Sequence, residues 1–355
     1  MRVVVDCHMV GQPRAGDAGN ARYAAALVSA LAATARPGDD VAALVAHPHN
    51  GELGGARTAG VPAANVRRIL RSGPRALVAL AADAAIFTYV APPHSPCPVL
   101  VAVHDTSFIT NPEWLRPRAR AMLRALVPRA ARRARLVLAL SQTAKADLSA
   151  ALGVAPERVR VVSPPPGRAF TPGDRAEAAE RVAARFGLDR YLLAVGDVSP
   201  RKNLEALGEA VRRVNAPGVD LVFVGRVGQG GGAILRSAGA RWLGRVEDDE
   251  LADLYRAAAA TVQPSLYEGF GLTVLEALAC GSPVVASRRG ATPEVAGDAA
   301  ILVEPDAGSI AEGLRAALEP DTAARLAAAG PERAALYRPE AMGSAAWSAV
   351  REATG

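Results

Sequence analysis

Short runs of consecutive apolar, mostly β-branched residues recur along the chain, separated by alanine- and arginine-rich stretches of helical length. The runs predict strands over 3–6, 41–46, 85–89, 99–104, 136–140 and 159–162, then a second series over 191–195, 221–224, 260–263, 284–286 and 301–303. Helices are predicted between most of them, for example over 21–34, 204–214 and 307–318. A strand that is apolar throughout is buried on both faces, and intervening helices supply the covers. The pattern therefore predicts an α/β protein with parallel sheets.

The alternation pauses once. Four prolines stand between Ser163 and Gly173, and such a run continues neither helix nor strand. It predicts two doubly wound units, over 1–165 and 174–335. A terminal helix within 336–355 follows, and the pattern does not fix its docking. Ligands of open parallel sheets bind beyond the carboxyl ends of the strands. Two such units facing each other would leave a cleft, so the residues just after strands are the candidates for chemistry.

Composition narrows the class without choosing the chemistry. The chain has 355 residues, of which 50% are apolar and 21% charged, with a net charge of +6. That excludes a disordered or fibrous chain. Cys7, Cys97 and Cys280 are odd in number and far apart, which predicts reduced thiols in a cytoplasmic protein and no structural zinc. The apolar stretch 76–92 contains Asp83 and falls short of the roughly 20 residues of a spanning helix. Only Lys145 and Lys202 are lysines among 41 basic residues, so each is worth attention.

The most informative string follows the strand ending at Gln263. It runs from Pro264 to Ala286 and contains Glu268-Gly269-Phe270-Gly271-Leu272-Thr273-Val274-Leu275-Glu276-Ala277. Gly269 and Gly271 let the backbone approach a ligand closely. The amides from Phe270 to Thr273 are expected to open a helix, and a helix start suits a phosphate. Glu268 before that helix and Glu276 inside it can accept hydrogen bonds from sugar hydroxyls. This string resembles the retaining glycosyltransferase family four, whose fold is GT-B: two Rossmann-like domains facing across a cleft. The resemblance implies that Glu276 holds the nucleotide ribose, that Glu268 contacts the transferred sugar, and that the amides of Phe270, Gly271, Leu272 and Thr273 hold the distal phosphate.

Other segments are similar to the same family. Gly196 and the run Ser199-Pro200-Arg201-Lys202-Asn203 resemble its segment for gripping the donor diphosphate. Arg201 offers a planar fork and Lys202 a compact charge. The strand ending in His104-Asp105 resembles the place where a histidine points at the donor sugar, although Asp105 could equally cap the next turn. Gly16-Asp17-Ala18-Gly19 resembles the loop that lies against the donor phosphates, with Gly19 as its candidate residue. Val246, after Leu243-Gly244-Arg245, would meet the nucleobase with its backbone.

From Arg116 to Arg135 the chain carries eight arginines and no acid. Leu115, Ala119, Met122 and Leu126 share one face of a helical wheel, and Pro128 is expected to break or kink the helix. A basic amphipathic helix can lie on an anionic membrane, so peripheral contact at the inner face of the membrane is one expectation and an ordinary surface helix the other. Nucleic acid is not expected, since the charge lacks aromatic platforms.

The resemblance implies a metal-independent, retaining transfer of a hexosyl group from a nucleoside-diphosphate sugar. The donor is substrate, and no separate cofactor is expected. GDP-mannose is favoured and a UDP-sugar is possible; the acceptor is a glycan, a lipid-linked molecule or a small molecule. A nucleotide-sugar epimerase of the same architecture, or a non-catalytic nucleotide-sugar-binding protein, are the alternatives.

Overall fold

The structure is a computed structural model that describes residues 1–11, 19–47, 53–62, 65–227 and 231–355. It divides into two compact units. One comprises Met1–Pro165 together with Tyr337–Gly355, the other Pro166–Leu336.

The first unit holds a seven-stranded sheet of β1 (Arg2–Asp6), β2 (Asp40–Val45), β3 (Arg57–Gly60), β4 (Ala84–Thr88), β5 (Val99–Ala102), β6 (Leu136–Ala139) and β7 (Val159–Val161). Its order is β3-β2-β1-β4-β5-β6-β7, and every pairing is parallel. The second unit holds a six-stranded sheet of β8 (Tyr191–Val195), β9 (Asp220–Val224), β10 (Ala240–Gly244), β11 (Ala260–Gln263), β12 (Val284–Ser287) and β13 (Ile301–Val303). Its order is β10-β9-β8-β11-β12-β13, again all parallel. Both are the doubly wound arrangement expected from the apolar runs. Central strands such as Tyr191–Val195 are buried end to end, because helices cover both faces.

The terminal helix Pro339–Thr354 packs on the helix Gly19–Ala33 of the first unit. The buried Trp347 indole donates to the Leu31 carbonyl at 2.9 Å. The basic helix also differs from expectation. It runs unbroken over Pro117–Arg133 with Pro128 inside it. The face it buries is Val127, Ala130 and Ala131, while Met122 and Leu126 stay partly exposed. Packing of that inner face holds the helix together across the proline, which lacks the amide that would close the turn. Among the described residues no helix is long and apolar enough to cross a membrane.

Candidate functional site

In the second unit the strand order reverses between β8 and β11, and a parallel sheet opens its ligand crevice at such a reversal. Gly196 follows β8 and Gly225 follows β9, both at φ +137°, a backbone region that L side chains rarely adopt. A Cβ on Gly225 would run into the carbonyl of Gly196. A Cβ on Gly196 would lie 2.8 Å from Cε of Lys202. Bare backbone at these strand ends therefore leaves space for the lysine arm.

Arg201 and Lys202 do not sit on a helix start, where an exposed basic pair would lie. They close a 3₁₀ turn, Pro200–Lys202, and Lys202 is buried. Asn203 then turns left-handed at φ +52°. Its side-chain amide donates to the carbonyls of Pro264 at 3.1 Å and Pro305 at 2.8 Å. The Leu266 amide donates to the Arg201 carbonyl at 2.8 Å. The turn carrying both cations is thus fastened to the loop that follows β11.

Glu268 lies on that loop, buried. Its Oε1 accepts from Lys202 Nζ at 2.9 Å and from Gln263 Nε2 at 2.8 Å. Its Oε2 accepts from Arg201 Nη1 at 2.5 Å, and the same nitrogen donates to the Tyr267 carbonyl at 3.0 Å. Burial by itself would push this carboxyl up. The charges of Arg201 and Lys202, with the hydrogen bond from Lys202, outweigh it and hold the pKa at about 2. Burial also lowers the Lys202 pKa, against the pull of the Glu268 carboxylate. An ionised carboxylate can only accept hydrogen bonds, so Glu268 is a fixed receiver for hydroxyls as well as for its two cations.

The helix after this loop begins later than the string predicts. It spans Leu272–Ala279, with Gly271 as its N-cap at φ +100°. Phe270 is therefore loop, with a buried ring. The left-handed turn at Gly271 is what delays the helix, since its carbonyl receives the amides of Val274 at 3.0 Å and Leu275 at 3.1 Å. The amides of Leu272 and Thr273 open the first turn and have no acceptor inside the helix. Glu276 is buried further along the same helix. Val246 is half-buried in the link between β10 and the helix Asp248–Ala257, whose N-cap Glu247 forms a capping box with Glu250.

Two contributors escape a reading of the string alone. Gln263 ends β11 and holds Glu268; an amide closing a strand of small and apolar residues was the available signal. Gly290, at φ +57° beyond β12, passes so close to the Glu268 backbone that a Cβ there would collide with it. The neighbouring Ala291 amide donates to the Glu268 carbonyl at 2.9 Å. A glycine after a strand end was its only trace in the sequence.

The first unit places His104 two residues past β5, buried. Its ring packs against Tyr23 at 4.7 Å and Tyr89 at 5.3 Å between centroids. Tyr89 follows β4 at φ +60°, anchored by its amide to the Ala102 carbonyl at 2.8 Å. Burial takes the His104 pKa down to about 3, so the imidazole is neutral at physiological pH. Its Nε2 has no hydrogen-bond partner among the described residues. A neutral imidazole with one nitrogen unsatisfied can receive or donate to a hydroxyl. Asp105 takes the capping role: its Oδ1 accepts from the Ser107 amide at 3.0 Å and hydroxyl at 2.7 Å. Gly19 is the exposed first residue of its helix, and Gly16-Asp17-Ala18 lies outside the described residues.

Residues 8–165 match the family described as Glycosyltransferase Family 4, and residues 189–320 match Glycosyl transferases group 1. The chain belongs to these glycosyltransferases. It is 31% identical over 254 residues to the O-antigen chain mannosyltransferase B of Escherichia coli, covering 67% of this chain and 65% of that protein. It is 38% identical over 196 residues to the D-inositol 3-phosphate glycosyltransferase of Nocardiopsis dassonvillei, covering 48% and 45%. The chain thus spans about half to two thirds of the length of these relatives. In fold it resembles a sucrose-phosphate synthase from Thermosynechococcus elongatus, with a TM-score of 0.77 at 22% identity over 99% of this chain and 98% of that one. It also resembles Anabaena HepE in complex with UDP and glucose, at a TM-score of 0.74 and 18% identity over 98% of each. These likenesses are to proteins of GT-B architecture, in keeping with the two parallel sheets.

Proposed function

We propose that the protein is a retaining glycosyltransferase that moves a hexosyl group from a nucleoside-diphosphate sugar to an acceptor hydroxyl. The observation that carries this reading is the clamp of Arg201, Lys202, Gln263 and Glu268 at the β8–β11 reversal. In it two cations are held before any anion arrives, and a carboxylate stays ionised beside them. The cations and the amides of Leu272 and Thr273 would stabilise the charge that grows on the departing diphosphate, which is electrostatic catalysis. They would do what a bound metal does elsewhere, so added chelator should leave the rate unchanged. Glu268 would receive sugar hydroxyls, Glu276 the ribose hydroxyls, and Val246 the base. His104 would offer its Nε2 to a hydroxyl of the sugar. The acceptor oxygen would attack on the face the phosphate leaves, which retains configuration.

GDP-mannose is the favoured donor, supported by the mannosyltransferase among the relatives. A UDP-sugar is the second reading, supported by the UDP bound to the structurally similar HepE. The acceptor is a hydroxyl of a glycan, of a lipid-linked molecule or of a small molecule. Peripheral contact between the helix Pro117–Arg133 and a membrane belongs with a lipid-linked acceptor.

The test is thermal melting with excess GDP, UDP, ADP or dTDP, without metal. A nucleotide at a hundred times its Kd stabilises by about 2.7 kcal/mol. One nucleotide should raise the Tm of the wild type by a few degrees and fail on Glu276→Ala, which should also raise the donor KM. An unchanged KM removes Glu276 from ribose binding. No shift with any nucleotide removes the donor site.

A further inference from the structure

The edge strand β10 does not pair evenly with its neighbour. Trp242 stands opposite Phe223 of β9 and Gly244 opposite Val224, so Leu243 is one residue too many. Gly244 follows this bulge at φ +78°. Bulges are rare in parallel pairs. They bend the strand that carries them and are frequent beside active sites, where they re-aim a side chain. The side chain that opens this bulge is Trp242, and it is 51% exposed.

The indole is exposed but not loose. Its Nε1 donates to the Gly225 carbonyl at 2.9 Å. The Gly225 amide donates in turn to the Gly244 carbonyl at 2.8 Å. Gly225 is pressed against the Gly196 carbonyl, and Gly196 lies against the Lys202 arm. Trp242 is thus tied, through the bare ends of β9 and β8, to the rim of the crevice that holds Lys202 and Glu268. Arg241, its neighbour on the strand, donates to the Gly187 carbonyl at 3.1 Å beyond the helix Arg175–Phe186. Successive strand residues point to opposite faces, so Trp242 takes the face that Arg241 leaves. A single exposed apolar side chain needs no explanation in itself. This one is fixed by a hydrogen bond beside a polar crevice. Its one polar atom is already engaged, and what it still has to offer is the π face of the ring.

We propose that Trp242 is the platform on which the nucleobase of the donor stacks. The inference rests on the nucleotide-sugar reading of this crevice and extends it from the phosphates to the base. Val246, two residues past Gly244, would meet the edge of the base with its backbone, and the indole meets its face. The bond to Gly225 holds the ring in one orientation before the base arrives, which spares part of the ordering cost of a free side chain. Every base has a π face, and loss of such a ring weakens binding roughly five- to a hundredfold.

The experiment is titration of the full chain with GDP and with UDP, followed by tryptophan emission excited where tyrosine does not absorb. The chain has three tryptophans, and Trp114 and Trp347 belong to the first unit. Trp242 is therefore the single reporter in the second. The nucleotide that raises the Tm should quench the wild-type emission along a saturating curve, because a base stacked on an indole quenches it. Trp242→Phe keeps a ring; it should bind within a few fold of the wild type with the quench gone. Trp242→Ala should bind roughly five- to a hundredfold more weakly and raise the donor KM with little change in kcat, since the base is remote from the reacting bond. Melting temperatures near the wild type without nucleotide would show that both variants fold. A Tm shift without a quench, or wild-type affinity in Trp242→Ala, would overturn the platform and leave the nucleotide-sugar reading standing. No Tm shift with either nucleotide would overturn both. A wild type that elutes as a dimer while Trp242→Ala elutes as a monomer would also overturn the platform, because the ring would then belong to a contact between copies.

Discussion

A single carboxylate organises the chemistry of the second unit. Glu268 binds both cations that the proposed transfer assigns to the diphosphate, so Arg201 and Lys202 are held in place by the protein itself. Removing one partner of a buried pair costs more than the pair is worth, since the other is left stranded. Here Arg201 and Gln263 remain on Glu268 when Lys202 is lost, so Lys202→Ala should fold with a modest fall in Tm. Its kcat/KM should fall tenfold to a hundredfold or more, the equivalent of a charge-assisted hydrogen bond of roughly 1.5–3 kcal/mol. Wild-type kinetics would take Lys202 out of the mechanism. His104 sets a different dependence. Its pKa is about 3 in the folded protein against an ordinary value of 6.5. Below pH 6.5 the unfolded chain therefore binds a proton that the folded one refuses. Stability should fall as pH drops from 6.5 toward 3. Melting scans across that window should show a steeper loss for the wild type than for His104→Gln; parallel curves would mean that the histidine is not held neutral by burial.

At the scale of elements, what the pattern revealed and what it hid divide by burial. The central strands are mainly apolar and buried, and the string found each of them. The two it missed, β3 and β10, lie at the outer edges of their sheets, and no residue of either is buried. Without a buried position neither carries the continuous apolar run that marks a strand, whereas the edge strand β13, Ile301-Leu302-Val303, does. The site divides in a similar way. Glu268, Glu276, Arg201 and Lys202 stand within local strings, whereas Gly290 joins the site only through a contact made from the next strand end, and Gln263 only through a side-chain bond to Glu268 that its residue type did not announce. The terminal helix is the clearest case of information held in shape. Gly343 sits so tightly on the helix Gly19–Ala33 that any Cβ would collide with Thr34 Oγ1 and the Ala30 carbonyl. Gly343→Leu should force the two helices apart and cost about 3 kcal/mol. Its lowered Tm should leave the nucleotide shift of the second unit intact. Wild-type melting would show that this packing carries no stability.

At the scale of the whole molecule, the two sheets repeat one plan with different cargo. Each reverses its order once, and each places its polar cluster beyond the carboxyl edge at that reversal: Gln263 and Glu268 in one, Tyr89 and His104 in the other. The chain crosses between units first after Pro165 and again after Leu336, where it returns to finish the unit it began. That return is sealed by Trp347 on Leu31 and by Arg351, which donates to Asp39 at 2.7 Å. Its consequence appears on the ribosome. Synthesis runs from the amino end, and domains generally fold as they emerge. Residues 166–336 can close on themselves as soon as they are made. The seven-stranded unit, although translated before the six-stranded one, must wait with the Gly19–Ala33 face open until residues 337–355 arrive. A segment made after the second unit is therefore the keystone of a unit made before it, and that open face is where a nascent chain of this protein is most exposed to chaperones and to misassembly.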